Sequence, residues 1–152
     1  MHRPESSVIG EVEITFDPSR FDVDAIHRFL SGAYWSAGIP RDVLTRAIAG
    51  SLCVGALISG AQVGFARLVT DRATFAYLSD VFVLPEHRGK GVSRTMLEAL
   101  FAHSDVQGLR RMMLATRDAH DLYAKFGFTA LGSPSRFMEA HRPDVYSAGH
   151  EP

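Results

Sequence analysis

Apolar positions along the chain change period several times, and each change marks an element. Val12 to Phe16 alternates as a short strand, and Ile26, Phe29, Leu30 and Ala33 then fall at i, i+3, i+4 and i+7 behind Asp22 and Asp24, which can cap a helix start. A loop, Tyr34-Trp35-Ser36-Ala37-Gly38-Ile39-Pro40, leads to a second short helix over Arg41 to Ala49, with Pro40 at or just before its first turn. Apolar runs at Leu52 to Ile58 and Gln62 to Val69 read as strands joined by the tight Ser59-Gly60-Ala61 turn, and a third follows at Thr74 to Leu84, completing an antiparallel meander. Helical spacing returns at Val92, Met96, Leu97 and Leu100, which places a helix from about Gly91 to Ala102. Arg111 to Thr116 reads as a fifth strand, and Ala119, Leu122, Tyr123 and Phe126 mark the inner face of a last helix. Phe128 to Leu131 and Phe137 to Glu139 can finish the sheet, and the tail from His141 to Pro152 has little to bury and is expected to be loose.

The strand, helix and strand from Thr74 to Thr116 form a crossover, so its two strands should lie parallel in an otherwise antiparallel sheet. The expected fold class is therefore α/β (α+β), a mixed, mostly antiparallel sheet flanked by about four helices. At 152 residues the chain reads as one domain, 1–152, with its core over about 8–140. A net charge of −1 gives no general attraction to nucleic acid or an anionic membrane, so neither is expected as a partner. Cys53 is the single cysteine, which rules out an intrachain disulfide, and its place in the run Leu52 to Ile58 points to a buried, inert thiol. The seven histidines show no metal-ligand spacing, so no metal is expected. No apolar stretch approaches the ~20 residues that span a membrane, and Met1 to Glu5 is not followed by the apolar core of a secretory signal. The expected location is cytoplasmic, as a monomer or homodimer.

The chemistry concentrates at Val81-Phe82-Val83-Leu84-Pro85-Glu86-His87-Arg88-Gly89-Lys90-Gly91-Val92-Ser93, a strand that passes through a proline stop and a basic glycine turn into a helix. Gly89 and Gly91 let the backbone take positive φ and approach a ligand, while the free N–H groups of the helix start point into the turn. Such amides favour phosphate oxygens, and Arg88, Lys90 and Arg94 add full charges, so a diphosphate is the natural guest. A Walker loop is excluded because Leu84 and Gly91 stand where it needs Gly and Ser or Thr. The dinucleotide fingerprint is excluded because its third glycine falls at Arg94 and the turn lies behind about 80 residues of other structure.

This segment resembles the central motif of the GNAT superfamily of acyl-CoA-dependent N-acyltransferases, in which a strand ending Val-x-x-Pro precedes (Gln/Arg)-x-x-Gly-x-(Gly/Ala). Arg88 to Ser93 follows it with one departure, Ser93 in place of Gly or Ala. A second stretch, Ala119-His120-Asp121-Leu122-Tyr123-Ala124-Lys125-Phe126-Gly127-Phe128, is similar to the family element that closes the acyl-CoA site. The resemblance implies that the two parallel strands splay and admit the thioester arm of acetyl-CoA between them. It implies that the backbone of Val81, Phe82 and Val83 pairs with that arm, and that the Gly89, Lys90, Gly91, Val92, Ser93 and Arg94 amides hold the pyrophosphate. Arg88 then stabilises the loop or its ligand, and Thr116 stands where the family often carries Asn beside the cofactor arm.

The implied activity is direct transfer of acetyl from acetyl-CoA to a primary amine of a small molecule or peptide. A backbone N–H near Val83 can support the oxyanion, and Tyr123 is the family-matched general acid for the departing thiolate. Its alternative role is packing, with the hydroxyl hydrogen-bonded. The family's occasional acid at the start of the fifth strand is replaced by Arg111, which makes Asp80 the candidate base or substrate-orienting carboxylate. Asp80 can instead cap a strand bulge or pair with Arg67 across the hairpin. Tyr34 and Trp35 lie where the family builds its acceptor pocket, although a Trp-containing loop can equally be a packing feature. Two other classes stay open: an acyl-CoA sensor that keeps the cradle without turnover, and, more distantly, a basic-loop nucleic-acid module.

Overall fold

The structure, a computed structural model, describes residues 11–147 in full and the backbone of residues 6–9. Six strands form one sheet in chain order: β1 (Ser6–Ile9), β2 (Val12–Thr15), β3 (Leu52–Ile58), β4 (Ala61–Thr70), β5 (Phe75–Val83) and β6 (Arg111–Leu114). Every neighbouring pair is antiparallel except β5 and β6, which are parallel as the crossover requires. Four helices accompany them: α1 (Val23–Leu30), α2 (Arg41–Ala49), α3 (Val92–Ala102) and α4 (His120–Ala124).

Local chemistry explains the boundaries. The Asp22 carboxylate accepts the Ala25 N–H at 3.0 Å and starts α1 as an N-cap, with Asp24 in the first turn. Ser59 and Gly60, at φ 50° and 80°, make the two-residue turn between β3 and β4, whose twist matches that of the strands it joins. Helix α3 lays Val92, Met96, Leu97 and Leu100 on one sheet face, against Val54, Ala56, Ala66, Leu68, Ala76 and Leu78. Gly64 permits this close approach, since a Cβ there would lie 3.4 Å from Met96 Sδ and 3.3 Å from the Ala56 methyl. Helices α1 and α2 cover part of the other face, packing Ile26, Leu30, Leu44 and Ile48 on Cys53, Phe65 and Phe82. Met96 and Leu97 have no exposed surface, and truncating either to Ala costs about 2–5 kcal/mol by the usual transfer and cavity terms.

The expected Phe128–Leu131 and Phe137–Glu139 strands do not form. Gly127 turns the chain at φ 91°, Phe128 packs against the core but Thr129, Ala130 and Leu131 are exposed, and Pro134 opens a short 3-10 turn over Pro134–Arg136. A cavity of about 590 Å³ separates this segment from β6, and its far side is held by the Arg111 guanidinium 4.9 Å above the Phe137 ring. Strand β6 ends two residues short of Thr116, whose Oγ1 instead accepts the Ala119 N–H at 3.0 Å in the turn into α4. Of the expected loose tail, Tyr146 is half-buried and packs beside α1 and α2, with its carbonyl beneath Gly38, while residues 148–152 lie outside the described residues.

Candidate active site

The glycine turn folds as a bare cradle. A short 3-10 turn over Pro85–His87 brings the chain off β5, and Gly89 and Gly91 follow at φ 75° and 79°, in the left-handed region open to glycine. A Cβ at either position would meet nothing within 4 Å, so the concave side is open to a ligand. Gly91 is the N-cap of α3, with no side-chain hydrogen bond to the first turn and no acidic residue in it. The leading amides at Val92, Ser93 and Arg94 thus keep their full capacity for an anion. Lys90 and Arg94 are exposed at the rim, and Arg94 is loosely paired with Glu98 at 3.9 Å. Arg88 has a different position from its neighbours. Its Nε donates to the Val83 carbonyl at 2.8 Å, which staples the turn to the end of β5.

Beside the cradle the sheet opens. The ladder between β5 and β6 runs only from Phe75 opposite Arg111 to Leu78 opposite Leu114. Beyond it, β5 is distorted against β4, where pairing jumps from Phe65–Phe82 to Arg67–Ser79. The extra residue carries Asp80 at φ 56°, a backbone conformation that costs about 1–2 kcal/mol for most side chains and less for Asp. Past Leu78, β5 has no β6 partner, and among the described residues no other strand pairs with the Val81–Val83 stretch on that edge.

Asp80 is buried and both carboxylate oxygens are engaged. Oδ2 accepts Arg67 Nε at 2.7 Å and Oδ1 accepts Trp35 Nε1 at 2.9 Å. Arg67 also reaches Ser51 Oγ at 3.2 Å. The cross-hairpin pairing and the bulge, both open on sequence grounds, are therefore present together, and the indole adds a link from the α1–α2 loop to β5. Burial of the pair is compensated by direct charge contact and hydrogen bonds on both partners.

Tyr123 lies on α4, buried and edge-on to Phe128 at 6.2 Å between ring centroids. No described residue hydrogen-bonds its hydroxyl. Burial, with a smaller contribution from the nearby Tyr34 phenol, raises its pKa above the ordinary value, which keeps the proton in place at neutral pH. Tyr34 is exposed, packs edge-on against Trp35 at 5.1 Å, and carries the Arg117 guanidinium 3.8 Å above its ring. Arg117 was not picked out by sequence pattern, because one arginine among 16 basic residues becomes visible only when the β6–α4 loop folds over Tyr34. Cys53 is buried and its thiol is pushed up to about 12, mainly by desolvation, so it has no nucleophilic part here. Among the described residues no cluster of His, Cys, Asp and Glu is arranged to hold a metal ion.

This arrangement has counterparts. Residues 8–128 match the model of the acetyltransferase (GNAT) family. A Gibberella zeae protein named as acetyltransferase FG08082 is 36% identical over 146 residues, covering 81% of each chain. The crystal structure of a GNAT-family acetyltransferase from Xanthomonas campestris pv. campestris superposes with a TM-score of 0.90 at 50% identity, over 93% of this chain and 100% of that one. N-acetylglutamate synthase from Neisseria gonorrhoeae, complexed with coenzyme A and N-acetyl-glutamate, shares the fold alone, with a TM-score of 0.65 at 18% identity over 84% of this chain and 30% of that one. With a family match over most of its length and half-identity to a solved member, the chain belongs to the GNAT acetyltransferase family, whose general reaction is acetyl transfer from acetyl-CoA.

Proposed function

We propose that the protein is an N-acetyltransferase that moves the acetyl group of acetyl-CoA to a primary amine of a small molecule or peptide by direct attack. The observation that supports this reading is the edge of β5 left unpaired beyond Leu78, which leads through the glycine turn to the uncapped start of α3. The amides of Gly89 to Arg94 hold the pyrophosphate, with Lys90 and Arg94 adding charge, and the backbone of Val81, Phe82 and Val83 pairs with the extended arm. Acetyl-CoA supplies the activated thioester when bound. A backbone N–H of the same strand stabilises the charge that develops on the carbonyl oxygen as the C–N bond forms, a contribution of about 2.7–4 kcal/mol for a fixed donor in other enzymes. Tyr123 gives its proton to the sulfur as the C–S bond breaks, and its raised pKa keeps that proton available.

Of the two roles open to Asp80, orientation fits its surroundings better, because Arg67 and Trp35 already occupy its oxygens. The amine then loses its proton to water. Thr116 supports the β6–α4 turn beside the arm, and Tyr34 and Trp35 form the acceptor wall. The reading takes the cytoplasm as the compartment and a monomer or homodimer as the working unit.

The test is thiol release from acetyl-CoA across a panel of amines and short peptides, with equilibrium binding of acetyl-CoA measured alongside. Amine-dependent release is expected. Saturable binding without release across the panel would replace the enzyme with an acyl-CoA sensor, and absence of binding would remove both.

A further inference from the structure

We infer that the acceptor carries a carboxylate and that Arg117 reads it, an inference that rests on taking the Tyr34–Trp35 side of the sheet as the acceptor side. The guanidinium carbon stands 3.8 Å over the centre of the Tyr34 ring, a cation–π contact that holds the side chain at this corner. Among the described residues no carboxylate oxygen approaches within 4.0 Å of it. The shelf beneath it is anchored. Tyr34 packs on Trp35, Trp35 is hydrogen-bonded to Asp80, and Thr116 fixes the turn that carries Arg117.

Charge in this corner is unbalanced in one direction. Asp80 is matched by Arg67 at 2.7 Å, so it presents no free anion to a polyamine or basic peptide, while Arg117 presents a cation with no carboxylate of its own. A planar guanidinium presents paired N–H donors that match the two oxygens of a carboxylate. The same sheet face continues past Arg67 to the exposed Val69, Phe75 and Tyr77, an apolar floor on which the body of such an acceptor can lie. The substrate class that fits is an amino carboxylate with an apolar chain.

Trp35 is the single tryptophan, and its contact with Tyr34 makes its fluorescence a reporter of this shelf that does not depend on turnover. L-leucine, L-phenylalanine and 6-aminohexanoate are each titrated against their primary amides, with thiol release from acetyl-CoA followed in parallel samples. At least one carboxylate is expected to bind about tenfold or more tightly than its amide, and Arg117→Gln, at an exposed position, is expected to remove that difference while leaving amide binding and acetyl-CoA binding unchanged. Equal affinities within every pair, an equal loss for both members in the variant, or no saturable Trp35 response to any probe overturns the inference. A carboxylate preference with no thiol release from any pair keeps the anion site and instead overturns acetyl transfer. Turnover that is indifferent to the carboxylate does the reverse.

Discussion

Gly91 and Gly60 offer a matched pair of substitutions that isolates ligand binding from backbone strain. Both residues have φ near 80°, at 79° and 80°, and a Cβ on either meets nothing within 4 Å. Alanine should therefore cost each site about 1–2 kcal/mol from the left-handed backbone alone, with no added clash. In a chain of this size that lowers Tm by about 2–8 °C, at roughly 2–4 °C per kcal/mol. The two sites differ in what faces the open side. Gly60 turns between β3 and β4 with solvent beyond it, whereas Gly91 begins α3 where the pyrophosphate is expected. Acetyl-CoA at about 100 times its Kd should stabilise the wild type by about 2.7 kcal/mol, a rise of roughly 5–11 °C. Gly60→Ala should keep that full increment, and Gly91→Ala should lose most of it, because the new methyl group stands where a phosphate oxygen must approach. Thermal denaturation with and without acetyl-CoA, on the three proteins in parallel, reads both effects. Equal increments in the two variants would refute the cradle assignment.

Three further outcomes follow from the same geometry. Tyr123→Phe keeps the ring against Phe128 and should leave folding and acetyl-CoA affinity intact while kcat falls at least about tenfold; an unchanged kcat in steady-state kinetics removes the general-acid role. Asp80→Asn can still accept the Trp35 N–H but leaves the largely buried Arg67 cation without its counter-charge, and chemical denaturation should show a loss of about 3 kcal/mol, the low end for a broken buried pair because Arg67 keeps some exposure to water. The Cys53 thiol, pushed up to about 12, should resist a thiol-specific reagent at neutral pH in the native protein and react at once in denaturant; rapid native labelling would show that strand β3 opens locally.

Much of the fold was legible because its elements carry strong periodic or turn signals. Helix α2 and strand β3 begin and end where Pro40, Gly50 and the Ser59–Gly60 turn dictate, and the parallel β5–β6 pair followed from the crossover through α3. The C-terminal third was harder. Phe128 to Leu131 has the composition of a strand, but only Phe128 packs on the core, and one anchored residue without a neighbouring strand does not make a ladder. Strand β1, just ahead of β2, gives no such signal, because Ser6-Ser7-Val8-Ile9 does not alternate between apolar and polar positions.

The cradle could be read locally, since glycines, charges and the helix start are contiguous. The contacts around the candidate acceptor residues could not, although Tyr34, Trp35 and Asp80 stand out individually. The Tyr34–Trp35 loop, Asp80 and Arg117 come from three separate segments, joined by the indole hydrogen bond to the Asp80 bulge and the contact of Arg117 with the Tyr34 ring. Each of these is a tertiary contact with no periodic trace in the chain. The partnering of Asp80 by Arg67 was visible as one of several options, and only the geometry shows that the bulge, the ion pair and the loop anchor share a single carboxylate.

That shared carboxylate also acts on the assembly of the sheet. The β4–β5 hairpin turns Ala66, Leu68, Ala76 and Leu78 to α3 and Phe65, Arg67, Val69, Tyr77 and Ser79 to the other face, so burial already favours one register. A slip of one residue reverses every side chain, and it would turn Asp80 toward Met96, Leu97 and Leu100 while stranding Arg67 on the opposite side. Each separated charge then costs several kcal/mol. The ion pair thus adds an electrostatic penalty for misalignment to the hydrophobic one. A correctly paired hairpin thereby presents the carboxylate that ties the Trp35 loop to β5.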